Sequence, residues 1–212
     1  MDTIRFEERI VGRTAGASAR RMATSLRADA PMRSMLDRVL AKTTAERAWR
    51  MGARGERFSG WLLDRLPQGW HVLHDIPVGE RGANIDHLVI GPAGVFTVNT
   101  KNLRGKIWLA PRTLLVNGRK RDYLPKAVRE AGRASRLLGE ALRRPIAVTP
   151  VLSIIADEWT IKDEPTDVIV ATPRGVKRLL LDRRGTLSPR EVNEIAEAAA
   201  EPQTWRDGPD RS

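Results

Sequence analysis

The run Asn84-Ile85-Asp86-His87-Leu88-Val89-Ile90-Gly91-Pro92-Ala93-Gly94-Val95-Phe96-Thr97-Val98-Asn99-Thr100-Lys101 decides the fold of this chain. Ile85–Ile90 and Val95–Lys101 are rich in β-branched residues, and Gly91-Pro92-Ala93-Gly94 between them is a turn signal. The pair therefore reads as two strands of a hairpin. Side chains two apart along a strand share a face, so Asn99 and Lys101 point the same way. The short loop brings Asp86, on the partner strand, near the end that carries Asn99 and Lys101. The result is a cross-strand group of one acid, one amide and one ammonium.

Such a group can hydrolyse phosphodiesters. The acid holds a divalent cation that polarises the phosphoryl oxygen and activates water, and the lysine offsets developing charge or orients the water. From spacing alone a plainer arrangement is favoured, in which Asp86 caps a turn beside Asn84 and Lys101 pairs with it.

Working outward, Thr43 and Glu46 form a capping box for a helix from Thr44 to about Leu66, ended by Pro67. Its apolar stripe is Ala48, Met51, Phe58, Trp61, Leu62 and Leu66. Gly52, Gly55 and Gly60 weaken it by up to about 1 kcal/mol each, which suggests close approach of another element. Trp70–Val78 is a strand, stopped by Gly79-Glu80-Arg81-Gly82. Beyond the hairpin, Lys106–Leu109, Leu114–Val116 and Arg119–Tyr123 continue a meander, with a type I′ turn at Asn117-Gly118. A helix over Pro125–Leu142 follows, then a central apolar strand, Ile146–Ile155. Val168–Ala171 is a strand, Pro173–Leu181 a basic helix, and Ser188 caps a last helix reaching about Ala200. The expected fold is α/β (α+β), a central mixed sheet with an antiparallel meander and flanking helices. Residues 1–42 read as a basic, partly disordered arm with a short helix near Met32–Leu40, and 43–160 as the core. Residues 161–201 complete the same domain, and 202–212 form a disordered tail.

The net charge of +11 and pI near 11.0 favour a polyanionic partner. Cysteine is absent, which excludes disulfides and thiolate metal sites. There is no apolar membrane span, no secretory signal, no phosphate-binding Gly-Lys loop and no nucleophile elbow, and the expected location is cytoplasmic.

The pattern Gly52-Ala53-Arg54-Gly55-Glu56, Val72-Leu73-His74-Asp75, Asn84 to Phe96, Asn99-Thr100-Lys101-Asn102, Gly105-Lys106 and Asn117-Gly118 resembles the nuclease-related domain (NERD) family. The resemblance covers roughly Trp49 to Ile155. That family is similar to the PD-(D/E)xK nucleases, which implies a restriction-endonuclease-like fold. It also implies Asp86 as a metal-binding acid, Lys101 as the catalytic lysine and Glu56 as a first-helix acid completing the metal shell. Asn99 stands where a second carboxylate is expected. Asp86, Glu56 and Asn99 would then hold Mg²⁺ or Mn²⁺, with hard cations preferring carboxylates over the neutral amide.

Two functions follow: metal-dependent hydrolysis of nucleic acid, with DNA expected, or a nucleic-acid-binding module whose chemistry is lost through Asn99. A protein-interaction scaffold is a third. His87 faces away from Asp86 and reads as a packed group. His74-Asp75 is a weaker site candidate, and Glu130, which could approach the site from the helix after the meander, reads more readily as a solvated acid beside Arg129. Trp108 and Trp159 could stack on bases.

Overall fold

The computed structural model describes residues 13–15, 50–79 and 83–206. Apart from residues 13–15, the expected N-terminal arm lies outside these residues, as do its short helix, the Thr43 capping box and the end of the tail. The first helix, α1, is described from residue 50 to residue 63 and ends before the expected Leu66. The strands are β1 (His71–Val78), β2 (Ala83–Gly91), β3 (Gly94–Asn102), β4 (Lys106–Ala110), β5 (Thr113–Val116) and β6 (Arg119–Arg121). Then come helix α2 (Tyr123–Leu142), β7 (Val148–Ile155), β8 (Glu158–Ile161), β9 (Ile169–Ala171), α3 (Pro173–Asp182) and α4 (Pro189–Ala200).

The strands form two sheets rather than one long meander. The main sheet runs β1-β2-β3-β7-β9, and the smaller runs β6-β5-β4-β8. β1, β2 and β3 are antiparallel, whereas β7 joins β3 in parallel and β9 joins β7 in parallel. The sheet is therefore mixed, as expected. β7 is paired on both edges, but β3 occupies the centre. Asn117 and Gly118 both have positive φ (50° and 75°), as a type I′ turn requires. The β8 strand escaped the sequence reading because it is short and mostly exposed, and it exists through its parallel pairing to β4.

Two apolar layers sandwich the main sheet. On one face, Leu73, Ile76, Leu88, Ile90 and Val95 meet Ala134, Leu137 and Leu138 of α2 and Val192 and Ile195 of α4. On the other, Val89, Phe96, Val98 and Val151 meet Leu63 of α1 with Val176 and Leu180 of α3. The first turns of α2, through Leu124 and Ala127, join the small sheet to Leu152 and Ile154 of β7. Ser188 caps α4 as expected, with a complete capping box to Glu191.

Two corrections follow. Pro202–Trp205 is a 3-10 helix rather than the start of a disordered tail: Trp205 is fully buried, and its indole N–H donates to the Ala199 carbonyl (2.9 Å). Burying an indole offsets the cost of ordering so short a segment. Trp61 does not line the core but is 49% exposed. Among the described residues no helix is long and apolar enough to cross a membrane.

Candidate active site

The hairpin register bears out the proximity of Asp86 to the far end of β3. The β2–β3 ladder pairs Leu88 with Thr97 and His87 with Val98, which leaves Asp86 next in line toward Asn99. On its other side, the β1–β2 ladder passes from His74–His87 to Ile76–Ile85 and skips Asp75 and Asp86. Asp75 has a left-handed φ of 51°. Leu73 and Ile76, three apart instead of two, enter the same apolar cluster, as do Ile85 and Leu88 opposite them. The pleat is thus broken at the two aspartates, and their side chains are released from it.

Asp86 Oδ2 accepts the Thr100 amide (2.9 Å). Asp75 Oδ1 accepts from the Asn84 amide (2.8 Å), so Asn84 serves Asp75 rather than Asp86. The plain Asp86–Lys101 ion pair does not form within 4.0 Å. Lys101 Nζ instead donates to the Thr100 carbonyl (3.2 Å) and lies 5.9 Å from the Tyr123 ring centre. The ammonium remains close enough to favour ionised Asp86, but burial outweighs it and holds the Asp86 carboxyl above its usual range.

Glu56 arrives from the opposite layer because α1 touches the end of β3 closely. A Cβ on Gly55 would lie 2.8 Å from Asn102 Cβ and 3.5 Å from Thr100 Cγ2, and the Asn102 amide donates to the Met51 carbonyl (2.8 Å). Gly60 is similarly pressed against Ala15, His74 and His87, whereas Gly52 faces open space. The close approach expected from these glycines thus holds for two of the three. Arg57 turns back to the Ala53 carbonyl rather than pairing with Glu56. Burial, and then the charge of Asp86, lifts the Glu56 carboxyl from 4.5 to about 7, against the pull of Lys101. Glu56, Asp86 and Lys101 therefore share one electrostatic neighbourhood.

Sequence reasoning misjudged Glu130. It is not a solvated acid beside Arg129: its Oε2 accepts from Asn99 Nδ2 (3.1 Å). Burial, followed by repulsion from Asp86, lifts its carboxyl to about 8. α2 places it there because Ala127, Glu130, Ala131 and Ala134 fall at the spacing of a buried stripe. An acid in that apolar stripe was the signal available in the sequence. α2 thus sets a carboxyl against Asn99, the β3 position where a second carboxylate was expected.

Asn99 Oδ1 and Glu130 Oε1 are both buried and have no hydrogen-bond partner among the described residues. Two enclosed, unpartnered oxygens beside raised carboxylates form an incomplete shell that a hard cation would fill. Among the described residues no three carboxylates or imidazoles converge as a ready-made metal cage. The donor set fits Mg²⁺, which commonly retains several waters and uses one or two carboxylates, with Asn99 adding a neutral oxygen.

Behind this group a polar chain runs inward from the exposed Asp64 through two buried histidines. Asp64 Oδ1 meets His74 Nε2 (2.8 Å), His74 Nδ1 meets His87 Nδ1 (2.8 Å), and His87 Nε2 meets Thr100 Oγ1 (3.4 Å). Every nitrogen of the two rings has a partner along this chain, so the pair is fully satisfied. Burial and neighbouring His74 lower the His87 pKa to about 3. The chain ends at Thr100, whose amide holds Asp86. His87 is a packed group, as expected, and it supports the β3 backbone. Trp159 packs in the small-sheet cluster.

A family model described as "Nuclease-related domain" matches residues 51–156. An uncharacterized protein of Bacillus anthracis is 43% identical over 61 residues, which is 27% of this chain and 29% of the relative. The match thus spans under a third of that relative's length. No solved structure matches the chain at a significant level. The matched span holds Glu56, Asp86, Asn99, Lys101 and Glu130 together and makes up half of the sequence: the chain belongs to the nuclease-related domain (NERD) family.

Proposed function

We propose that this protein hydrolyses phosphodiester bonds in nucleic acid, DNA being the expected substrate, with Mg²⁺ or Mn²⁺ as cofactor. The observation that carries the reading is the pair of unpartnered buried oxygens, Asn99 Oδ1 and Glu130 Oε1, with Asp86 close enough to raise the carboxyls of both Glu130 and Glu56. Asp86, Glu130 and Asn99 would hold the ion, with Glu56 completing its surroundings. A bound divalent ion would polarise the phosphoryl oxygen and lower the pKa of a water. Lys101, unpaired with any carboxylate among the described residues, is placed to offset charge on the phosphate. Glu56, with a pKa of about 7, is poised to take a proton near neutral pH. The basic composition supplies attraction for the phosphate backbone. The cytoplasm is the compartment that a cysteine-free chain suits.

Asn99 favours a second reading, a binding module without chemistry, because the amide brings no charge to the ion. A cleavage assay on single- and double-stranded DNA with Mg²⁺ or Mn²⁺ separates the two. Wild type should cleave, and Asp86→Ala and Lys101→Ala should lose most activity, with Asn99→Asp equal to wild type or faster. Binding without cleavage under every condition supports the second reading. Equal cleavage by wild type, Asp86→Ala and Lys101→Ala refutes the assigned site.

A further inference from the structure

The outer face of α1 carries a feature that hydrolysis at Asp86 does not use. Arg54, Arg57, Phe58, Trp61 and Arg65 recur at spacings of three and four, so they form one stripe along the helix. Trp61 is 49% exposed. The Phe58 and Trp61 rings lie 14° from parallel with centroids 6.2 Å apart. The Arg65 guanidinium sits 3.7 Å from the Trp61 ring centre and donates to the Trp61 carbonyl (2.7 Å). Neighbouring α3 adds Arg174, 5.6 Å from the Phe58 ring centre, and Lys177, whose ammonium donates to the Arg65 carbonyl (2.8 Å).

Arg54, Arg57, Arg65, Arg174 and Lys177 have no acidic partner among the described residues. The adjacent acid, Asp64, is bound to His74. Unneutralised cations on one face repel one another, and a half-exposed indole forgoes burial. A polyanion that also presents flat apolar rings relieves both. A duplex offers phosphates here but keeps its base faces stacked inside; an unpaired strand offers phosphates and bases together.

We propose that this face of α1 and α3 binds single-stranded nucleic acid. An unpaired base stacks on the Phe58–Trp61–Arg65 tier, and flanking phosphates lie on Arg54, Arg57, Arg174 and Lys177. The proposal rests on the nucleic-acid reading above but not on catalysis. Glu56 is on the same helical turn as Arg57 and Phe58, so a strand held here is anchored on the helix that supplies the site with an acid.

The test is fluorescence anisotropy at low salt with EDTA, using labelled oligo-dT, oligo-U and a blunt DNA duplex. Trp61→Ala should weaken single-strand binding about 5- to 150-fold, the span of roughly 1–3 kcal/mol for one stacked base. Duplex binding should stay within about twofold, as for an ordinary surface substitution. Trp61→Phe should restore most of the loss. Equal losses on oligo-dT and oligo-U mean that the tier reads bases irrespective of sugar, and a loss on one alone identifies the strand type it holds. The proposal is overturned if Trp61→Ala leaves single-strand affinity unchanged or lowers single-strand and duplex affinity alike. Wild type that binds neither polymer removes the nucleic-acid reading as well, whereas duplex binding indifferent to Trp61 removes only the stacking tier.

Discussion

Glu130→Gln gives the sharpest measure of the carboxylate group, because the raised Glu130 carboxyl has a calculable effect on stability. Burial and Asp86 lift it from 4.5 to about 8. Between those values the folded chain binds a proton at Glu130 that the unfolded chain does not. Stability must therefore fall as pH rises through this window. Glutamine mimics the protonated acid, keeps an oxygen for Asn99 Nδ2 and does not titrate. At pH 5 the substitution should be nearly neutral. At pH 7 a difference of about 2.5 units at 1.36 kcal/mol each gives about 3 kcal/mol; solvent reaching the half-buried residue trims this to about 2–3 kcal/mol in favour of the variant. For a chain of this size that is about 4–12 °C in unfolding midpoint.

Urea and thermal unfolding with EDTA, at pH 5 and at pH 7 to 8.5, measure it. In the same assay Mg²⁺ should stabilise wild type increasingly toward high pH, because ion binding competes with the proton, and should stabilise the variant less. A Glu130→Gln effect that is the same at pH 5 and pH 8.5, or a variant less stable than wild type at pH 8.5, would refute the buried, proton-holding carboxyl.

Two further predictions concern the scaffold. Gly55→Ala places a methyl 2.8 Å from Asn102 Cβ, so α1 must back away from β3 and carry Glu56 with it. Cleavage should drop at least about tenfold, in line with the cost of misplacing a catalytic group, while far-UV circular dichroism stays unchanged; wild-type cleavage rates would show that Glu56 does not depend on this contact. Trp205→Ala should cost about 3–5 kcal/mol in urea unfolding, because the ring is fully buried among α2, α4 and the main sheet. A loss under about 1 kcal/mol would place Trp205 outside the cooperative core.

Much of the framework was legible locally. Asn84 to Lys101 gave its own hairpin and register, since alternation and the Gly91–Gly94 turn act between near neighbours. Asp86, Asn99 and Lys101 came with it. The Ser188 capping box and the Asn117-Gly118 turn were equally local. Glu56 was singled out through the family pattern and not through its neighbours on the helix. Glu130 was misread because Arg129 beside it looked like solvent, although its helical stripe pointed inward. The tail misled for a similar reason: Pro202 signals an end, and the pocket that takes up Trp205 is built from distant segments.

By itself, the sequence determined every strand but β8, the Ser188 cap and the candidate site residues on β2 and β3, because these follow from steric and hydrogen-bonding preferences spanning a few residues. Only the tertiary structure decided what surrounds Asp86. The parallel joining of β7 to β3 lays α2 over the main sheet and sets Glu130 against Asn99, 31 residues away. The contact of Gly55 with β3 brings in Glu56, and the broken pleat at Asp75 frees Asp86. Burial then raises all three acids, and the charge of Asp86 raises Glu56 and Glu130 further, an effect that arises only when segments far apart in the chain exclude water from one place.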